Sequence, residues 1–205
     1  MKKFFILSLV FSSMIFLGSC LKTRTENIAY FIAHQPSTGD TVGALCVNEF
    51  CARGSTYIAD ELNPASDHWI ELYNRTSSTI YFDSTNYYMS VDSTIHSISG
   101  MTKLTHYSVA PNGYLVVFAD DSDRVVTTPG GHIHIPHISK QGGFVGLYTY
   151  NPNTTTLTTL TAYSYDSIAT SGSSWGVYPN GSGNWFLYGT GYPGPMSPDA
   201  ANPQP

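Results

Sequence analysis

The sequence predicts an all-β domain, a sandwich or a barrel, on three observations. Charged residues are only 11% of the chain while aromatic residues are 14%, with Tyr alone numbering 15. Half-buried strands take aromatic and β-branched side chains, whereas the Glu and Lys that favour helices are sparse here. Short apolar or alternating runs recur at about 8–12-residue spacing with turn-forming residues between them. Beyond the first twenty residues no segment carries the 3.6-residue period of an amphipathic helix.

Taken in order, Leu21 to Asp40 reads as a tether, polar except at Ile28 to Ala33, which could add an edge strand. The domain spans residues 42–194 and opens with a strand at Val42 to Phe50. Tyr57 to Asp67 contains Asn63-Pro64 and reads as a loop. Trp69 to Asn74 alternates as a strand does, and Ile80-Tyr81-Phe82 and Tyr87 to Val91 follow around an Asp83-Ser84-Thr85-Asn86 turn. Ile95 to Ile98 and His106 to Val109 are weaker strands. Pro111-Asn112-Gly113 marks a turn, because Pro presets the first turn angle and Gly accepts positive φ. Tyr114 to Ala119 is the clearest strand, bounded by that turn and by Asp120-Asp121. Ile133 to Ile138, Phe144 to Tyr150, Leu157 to Tyr165, Trp175 to Tyr178 and Trp185 to Leu187 complete the set. Asn151-Pro152-Asn153, Pro179-Asn180-Gly181 and Gly189 to Pro195 punctuate them, and residues 195–205 are expected to form a Pro-rich disordered tail.

The first nineteen residues have the parts of an export signal. Lys2 and Lys3 give a positive start, Phe4 to Leu17 is almost wholly apolar, and Leu17-Gly18-Ser19-Cys20 follows. The apolar run falls short of the about 20 residues a permanent span needs. Leu-Gly-Ser-Cys resembles the bacterial lipobox, which implies a diacylglycerol on Cys20 and cleavage before it. Acyl chains add about 0.8 kcal/mol of membrane affinity per buried CH₂. Residues 20–41 are then the lipidated Cys and its tether. Leu21, rather than Asp, after the Cys is compatible with sorting to the outer membrane of a Gram-negative cell, and Lys22 to Glu26 lacks an acidic run for surface export. Without Lys2 and Lys3 the chain keeps 7 basic against 14 acidic residues, a net charge of −7. That balance argues against nucleic acid, whose affinity comes largely from Lys and Arg at phosphates.

Cys46 and Cys51 lie five positions apart on the first strand. On a straight strand they point to opposite faces roughly 16 Å apart, beyond the about 7 Å between Cα atoms that a disulfide tolerates. They are expected to be unpaired, with at least one buried.

Five segments, in order, resemble one family. Val47-Asn48-Glu49-Phe50 with Asp67-His68-Trp69-Ile70-Glu71-Leu72-Tyr73-Asn74 is similar to the opening strands of the lamin tail domain. Pro111 to Asp120 resembles its central Gly-Tyr-Leu-Val-Val strand, and Gly142 to Tyr148 its Gly-Glu-x-Val-x-Leu-Tyr strand. Ser174 to Trp185 is similar to its closing Ser-x-Gly-Arg-Tyr-Pro-Asp-Gly segment, and Pro193-Gly194-Pro195 with Pro198 to Asn202 stands where the family often ends in Thr-Pro-Gly-x-Pro-Asn. Gly143, Val177 and Asn180 depart from the family's Glu, Arg and Asp. The resemblance implies an immunoglobulin-like β-sandwich, of a kind found in exported and membrane-associated bacterial proteins.

Three groups of residues are candidates for chemistry. Glu49 and Glu71 are a carboxylate pair, which hydrolyses glycosides only where the two face each other across a cleft; the sequence supplies none. His132, His134 and His137 form a histidine cluster in which the first two share a strand face, as zinc ligands do, whereas the polar residues and Pro136 also suit an exposed edge strand. Asp120-Asp121-Ser122-Asp123 reads as an Asx-rich turn rather than a calcium loop. Tyr87, Tyr88, Tyr178, Trp185, Tyr188 and Tyr192 are candidates for an exposed aromatic surface that stacks on sugars or anchors a protein partner, with Tyr178, Trp185, Tyr188 and Tyr192 its centre. The expected function is therefore a lipid-anchored, non-catalytic binding or adaptor module for an envelope protein or glycan, without a cofactor. A metal-dependent enzyme or metal-binding protein at the histidine cluster, and a purely structural envelope component, are the alternatives.

Overall fold

Apolar side chains at every second position sort the strands into sheets with one face turned to a common core. The computed structural model describes residues 43–52, 68–94, 97–119, 131–132, 135–168, 170–192 and 194–205. All of them fall in one unit, Pro36–Pro205. The signal, Cys20, the tether, Tyr57 to Asp67, Asp120 to Asp123 and His134 lie outside the described residues.

The strands are β1 (Leu45–Cys51), β2 (Trp69–Asn74), β3 (Ile80–Tyr81), β4 (Tyr87–Ser90), β5 (Thr102–Lys103), β6 (Ser108–Val109), β7 (Tyr114–Phe118), β8 (Gly131–His132), β9 (Gly142–Asn151), β10 (Thr156–Asp166), β11 (Ser173–Val177) and β12 (Trp185–Gly189). They form a six-stranded sheet in the order β12-β11-β1-β2-β7-β8, a four-stranded sheet β10-β9-β4-β5, and the small pair β3-β6. Pairing is antiparallel except between β7 and β8. Among the described residues there is no α-helix. The described residues form an all-β, sandwich-like fold.

One core lies between the two large sheets. The six-stranded sheet contributes Leu45, Val47, Phe50, Ile70, Leu72, Val117, Trp175, Val177 and Trp185; the four-stranded sheet answers with Met89, Val145, Leu147, Leu160, Tyr163 and Tyr165. Its middle is aromatic. Tyr163 stacks on Trp185 with centroids 4.4 Å apart, and Phe50 meets Tyr165 at 4.8 Å and Trp185 at 5.5 Å.

A bulge in β1 shapes everything on the other face of the large sheet. Val47 pairs with Leu72 and Glu49 with Glu71, so Asn48 is the extra residue. The pleat therefore turns both Asn48 and Glu49 away from the core, with Val47 and Phe50 facing it on either side. The same extra residue corrects the expectation for the cysteines: Cys46 and Cys51 fall on one face, not opposite faces. They are nonetheless unpaired, and both are buried. Four pleat steps still hold them roughly 13 Å apart along the strand. Cys46 Sγ donates to the Tyr73 carbonyl at 3.6 Å and Cys51 Sγ to that of Ser173 at 3.4 Å.

Other boundaries shifted for local reasons. Ile98–Gly100 is a 3₁₀ turn rather than the end of a strand. Residues 135–138 are irregular, and the strand in that region is Gly131–His132. At the Pro111 turn it is Asn112, not Gly113, that takes the positive φ, 52°. Asn tolerates that region because its short side chain bonds locally.

The largest correction concerns residues 195–205, which are not a disordered tail. Gly194 to Pro203 cross the outer face of the six-stranded sheet as a strap. Met196 is buried there with Cys51, Trp69, Val116, Phe118 and Tyr188, a second apolar cluster separate from the main core.

Candidate functional site

Beneath the strap lies the most concentrated polar chemistry in the described residues. Glu49 and Glu71 are direct cross-strand partners on β1 and β2, and both are fully buried. The strap supplies their partners. Pro198 and Asp199 occupy the centre of a turn closed by the Ala200 amide on the Ser197 carbonyl at 3.0 Å, with Asp199 at φ 63°. Within it the Ser197 amide donates to Glu49 Oε2 at 3.2 Å and the Asp199 amide to Glu71 Oε2 at 2.6 Å. Ser197 Oγ shares its one proton between Glu49 Oε2, at 3.2 Å, and Asn202 Oδ1, and Ser174 Oγ on β11 donates to Glu49 Oε1. The bulged Asn48 donates to Glu71 Oε1 at 2.8 Å. Every carboxylate oxygen thus receives a donor from the chain.

Asn202 ties the strap down. Its Nδ2 donates to the carbonyls of Asn48 at 3.0 Å and Val177 at 2.9 Å. Its Oδ1 accepts from Ser197 Oγ at 2.7 Å, and its amide donates to Asn180 Oδ1 at 3.0 Å. Asn180 in turn donates to the Tyr114 hydroxyl, and the Gly181 amide donates to Asn48 Oδ1 at 3.2 Å. Gly176 makes room: a Cβ there would stand 2.8 Å from Asn202 Nδ2 and 2.9 Å from the Tyr188 ring.

Burial pushes the Glu49 carboxyl up to about 7, against the lowering effect of its bonds from Ser174 and Ser197. Glu71 is raised well above the ordinary carboxylate value, by burial first and then by the neighbouring Glu49, while the bond from Asn48 opposes the shift. Two carboxylates this close in a dry setting favour a shared proton over two charges. The cluster is a clamp closed on its own chain, with no oxygen turned to a cleft. Its chemistry is to hold the strap.

The predicted aromatic surface is largely dismantled. Trp185 is core, because β12 turns Trp185 and Leu187 towards the opposite sheet. Tyr188 faces outward but is fully buried under the strap, where its hydroxyl donates to the Pro203 carbonyl at 3.0 Å. Treating residues 195–205 as disordered is what left Tyr188 looking exposed. Tyr178 and Tyr192 are half-buried and remain at the surface.

The aromatic surface that exists lies on the four-stranded sheet, facing away from the core. Tyr88 pairs in register with Tyr148, and its ring meets Tyr150 edge-on at 6.2 Å. Phe144 and Tyr148 fold over Gly146, where a Cβ would stand 2.6 Å from Phe144 Cε1 and 2.6 Å from the Tyr148 hydroxyl. Only glycine lets both rings lie on the backbone there. Ser164, Ala162 and Thr159 of β10 stand opposite Phe144, Gly146 and Tyr148, while Lys103 of β5 stands opposite Tyr88. Alternation from Val145 and Leu147 could have revealed this face; only Tyr88 of its four rings was singled out from the sequence.

Of the histidines, His132 sits on β8 in register with Phe118, and His137 is exposed in the stretch after Pro136. Among the described residues no three potential metal ligands come together. His137 instead meets His68, which sequence reasoning passed over.

Compared with family models, with curated proteins and with solved structures, the chain finds no match in any of the three.

Two outcomes follow from the clamp. Asn202→Ala leaves two buried carbonyls without a donor and should cost about 3 kcal/mol in urea unfolding, at roughly 1–3 kcal/mol per unsatisfied group. Because Glu49 binds its proton more tightly folded than unfolded, its contribution is complete below pH 4.5 and is lost as pH rises through about 7. Glu71 is shifted in the same direction and extends the loss upward. The thermal midpoint should fall across that window in the parent and much less in Glu49→Gln; equal slopes would remove the role given to the carboxyl.

Proposed function

We propose that this chain is an exported lipoprotein, anchored through Cys20, whose immunoglobulin-like lamin-tail domain is a non-catalytic recognition module for an envelope glycan. The observation that carries the reading is the aromatic face of the four-stranded sheet, where half-buried Tyr88, Phe144 and Tyr150 surround the more deeply buried Tyr148. Sugar rings stack their C–H faces on aromatic side chains, and tyrosine, threonine and serine hydroxyls pair with sugar hydroxyls. The closed state of the Glu49–Glu71 pair favours binding over hydrolysis, since a glycosidase needs its two carboxylates open to a bond between them.

The lamin-tail reading rests on the five ordered segments of the sequence. Several of them meet in one place: Asn48, Glu49 and Glu71 from the opening strands, Ser174 and Asn180 from the closing segment, and Asn202 from the terminal motif form one hydrogen-bonded cluster. The lipobox-like Cys20 and Leu21 behind it support the outer membrane, and the lack of an acidic run in Lys22 to Glu26 supports its periplasmic face.

Labelled palmitate should enter the full chain expressed in a Gram-negative host and be absent from Cys20→Ala; labelling that survives the substitution refutes the anchor. Detergent-solubilised full chain should be retained by immobilised peptidoglycan or envelope polysaccharide. Tyr88→Ala with Tyr150→Ala should weaken retention by about tenfold or more, given roughly 1 kcal/mol or more per lost aromatic contact. Retention unchanged by the pair, or a stoichiometric protein captured equally by both forms with no glycan held, removes this face from the function.

A further inference from the structure

A row of side chains crosses the outward face of the four-stranded sheet from one edge strand to the other. Lys103 on β5 is directly opposite Tyr88 on β4, Tyr88 is opposite Tyr148 on β9, and Tyr148 is opposite Thr159 on β10. Directly opposed residues of antiparallel strands share a face, so all four belong to the surface that carries Phe144 and Tyr150. At about 4.8 Å per strand the row is roughly 14 Å long, enough to lie under a short oligosaccharide. Lys103 is exposed on its edge strand, and a flexible four-carbon stem carries its ammonium at the rim of the rings. The other three members of the row are uncharged.

The acids at the ends of these strands are engaged or distant. Asp92, past the end of β4, accepts from the Thr94 amide and hydroxyl, both at 2.8 Å. Asp166 is opposite Gly142, six residues and roughly 20 Å along β9 from Tyr148. The chain as a whole is acidic, with 9 basic against 14 acidic residues, so its overall field repels anions. Fields are screened within about 8 Å at physiological salt, and a ligand lying on the rings meets Lys103 first. One ammonium is a point charge suited to one carboxylate. Phosphate groups more often draw the planar forks of arginine, and this row has none.

We infer, resting on the glycan reading of this face, that its ligand is a glycan bearing carboxylates and that Lys103 is the residue that selects them. The rings hold the sugar by its C–H faces whatever its charge. Lys103 then pairs with a carboxylate on the unit above Tyr88, which separates an acidic sugar from its neutral counterpart.

The test titrates the full chain, in a detergent without a sugar headgroup, with oligogalacturonic acid and with its methyl ester, the same sugar stripped of charge. At low salt the acid should bind about three- to fivefold more tightly than the ester, the range of an exposed ion pair. The ratio should shrink towards one in about 0.5 M salt. Lys103→Gln should bring it to about one and Lys103→Arg should keep it. Lys140→Gln, which removes the same charge from the exposed turn before β9, should keep it too. A ratio near one in the parent, or a preference that survives Lys103→Gln, overturns the selection by Lys103 while leaving the glycan face in place. Neither sugar bound by the parent, or both bound undiminished by Tyr88→Ala with Tyr150→Ala, removes the face and the selection together.

Discussion

Two carboxyl groups taken out of water in neighbouring strands have to be satisfied from within the protein, and the outer half of this structure is arranged around that need. An unpaired ionised carboxylate in a dry interior costs far more than a domain's whole margin of stability. Glu49 sits on β1, the strand flanked by β2 and β11, so the donors must come from strands on both sides and from above. β2 brings its own acid, β11 brings Ser174, and the strap brings two amides and a hydroxyl. Neither the strap nor the acids make sense alone. Without the acids the strap's amides would lose their acceptors, and without the strap the acids would open to solvent and lose their reason to be there.

The bulge at Asn48 makes the arrangement geometrically possible. A regular strand would alternate Asn48 towards the core and leave a single polar residue on the outer face. The additional residue turns both Asn48 and Glu49 outward, so the amide side chain reaches Glu71 while its own carbonyl accepts from Asn202. A bulge in a central strand weakens the ladder locally. Here the lost backbone pairing is replaced by side-chain bonds from the hairpin after β11 and from the strap. The same displacement decides the fate of the cysteines, which come to share a face yet stay too distant to join.

Much of the sandwich was legible because burial on one side leaves a period-two imprint. β2, β7, β9 and β10 are legible to within a few residues, since their core-facing positions, among them Ile70, Leu72, Val117, Val145, Leu147 and Tyr163, are apolar. What escaped was governed by long-range contact. Nothing local in Pro195 to Pro205 distinguishes a solvated proline-rich tail from a strap, because its order is bought by Glu49 and Glu71, more than a hundred residues earlier. The burial of Tyr188 depends on the same segment and is illegible for the same reason. Glu49 and Glu71 were noticed as a pair, but sequence spacing carries no information about depth. His68 offered no signal at all, since one histidine before a strand is unremarkable until the chain brings His137 to it.

The strap also fixes when the domain can be finished. It lies downstream of all twelve strands, so a chain emerging from the ribosome has its entire β framework synthesised before the groups that quench the two acids exist. Until then Glu49 and Glu71 lack the amides of Ser197 and Asp199, and Trp69, Phe118 and Tyr188 lack their contact with Met196. The donors that satisfy Glu49 and Glu71 from the strap are thus among the last groups to be synthesised.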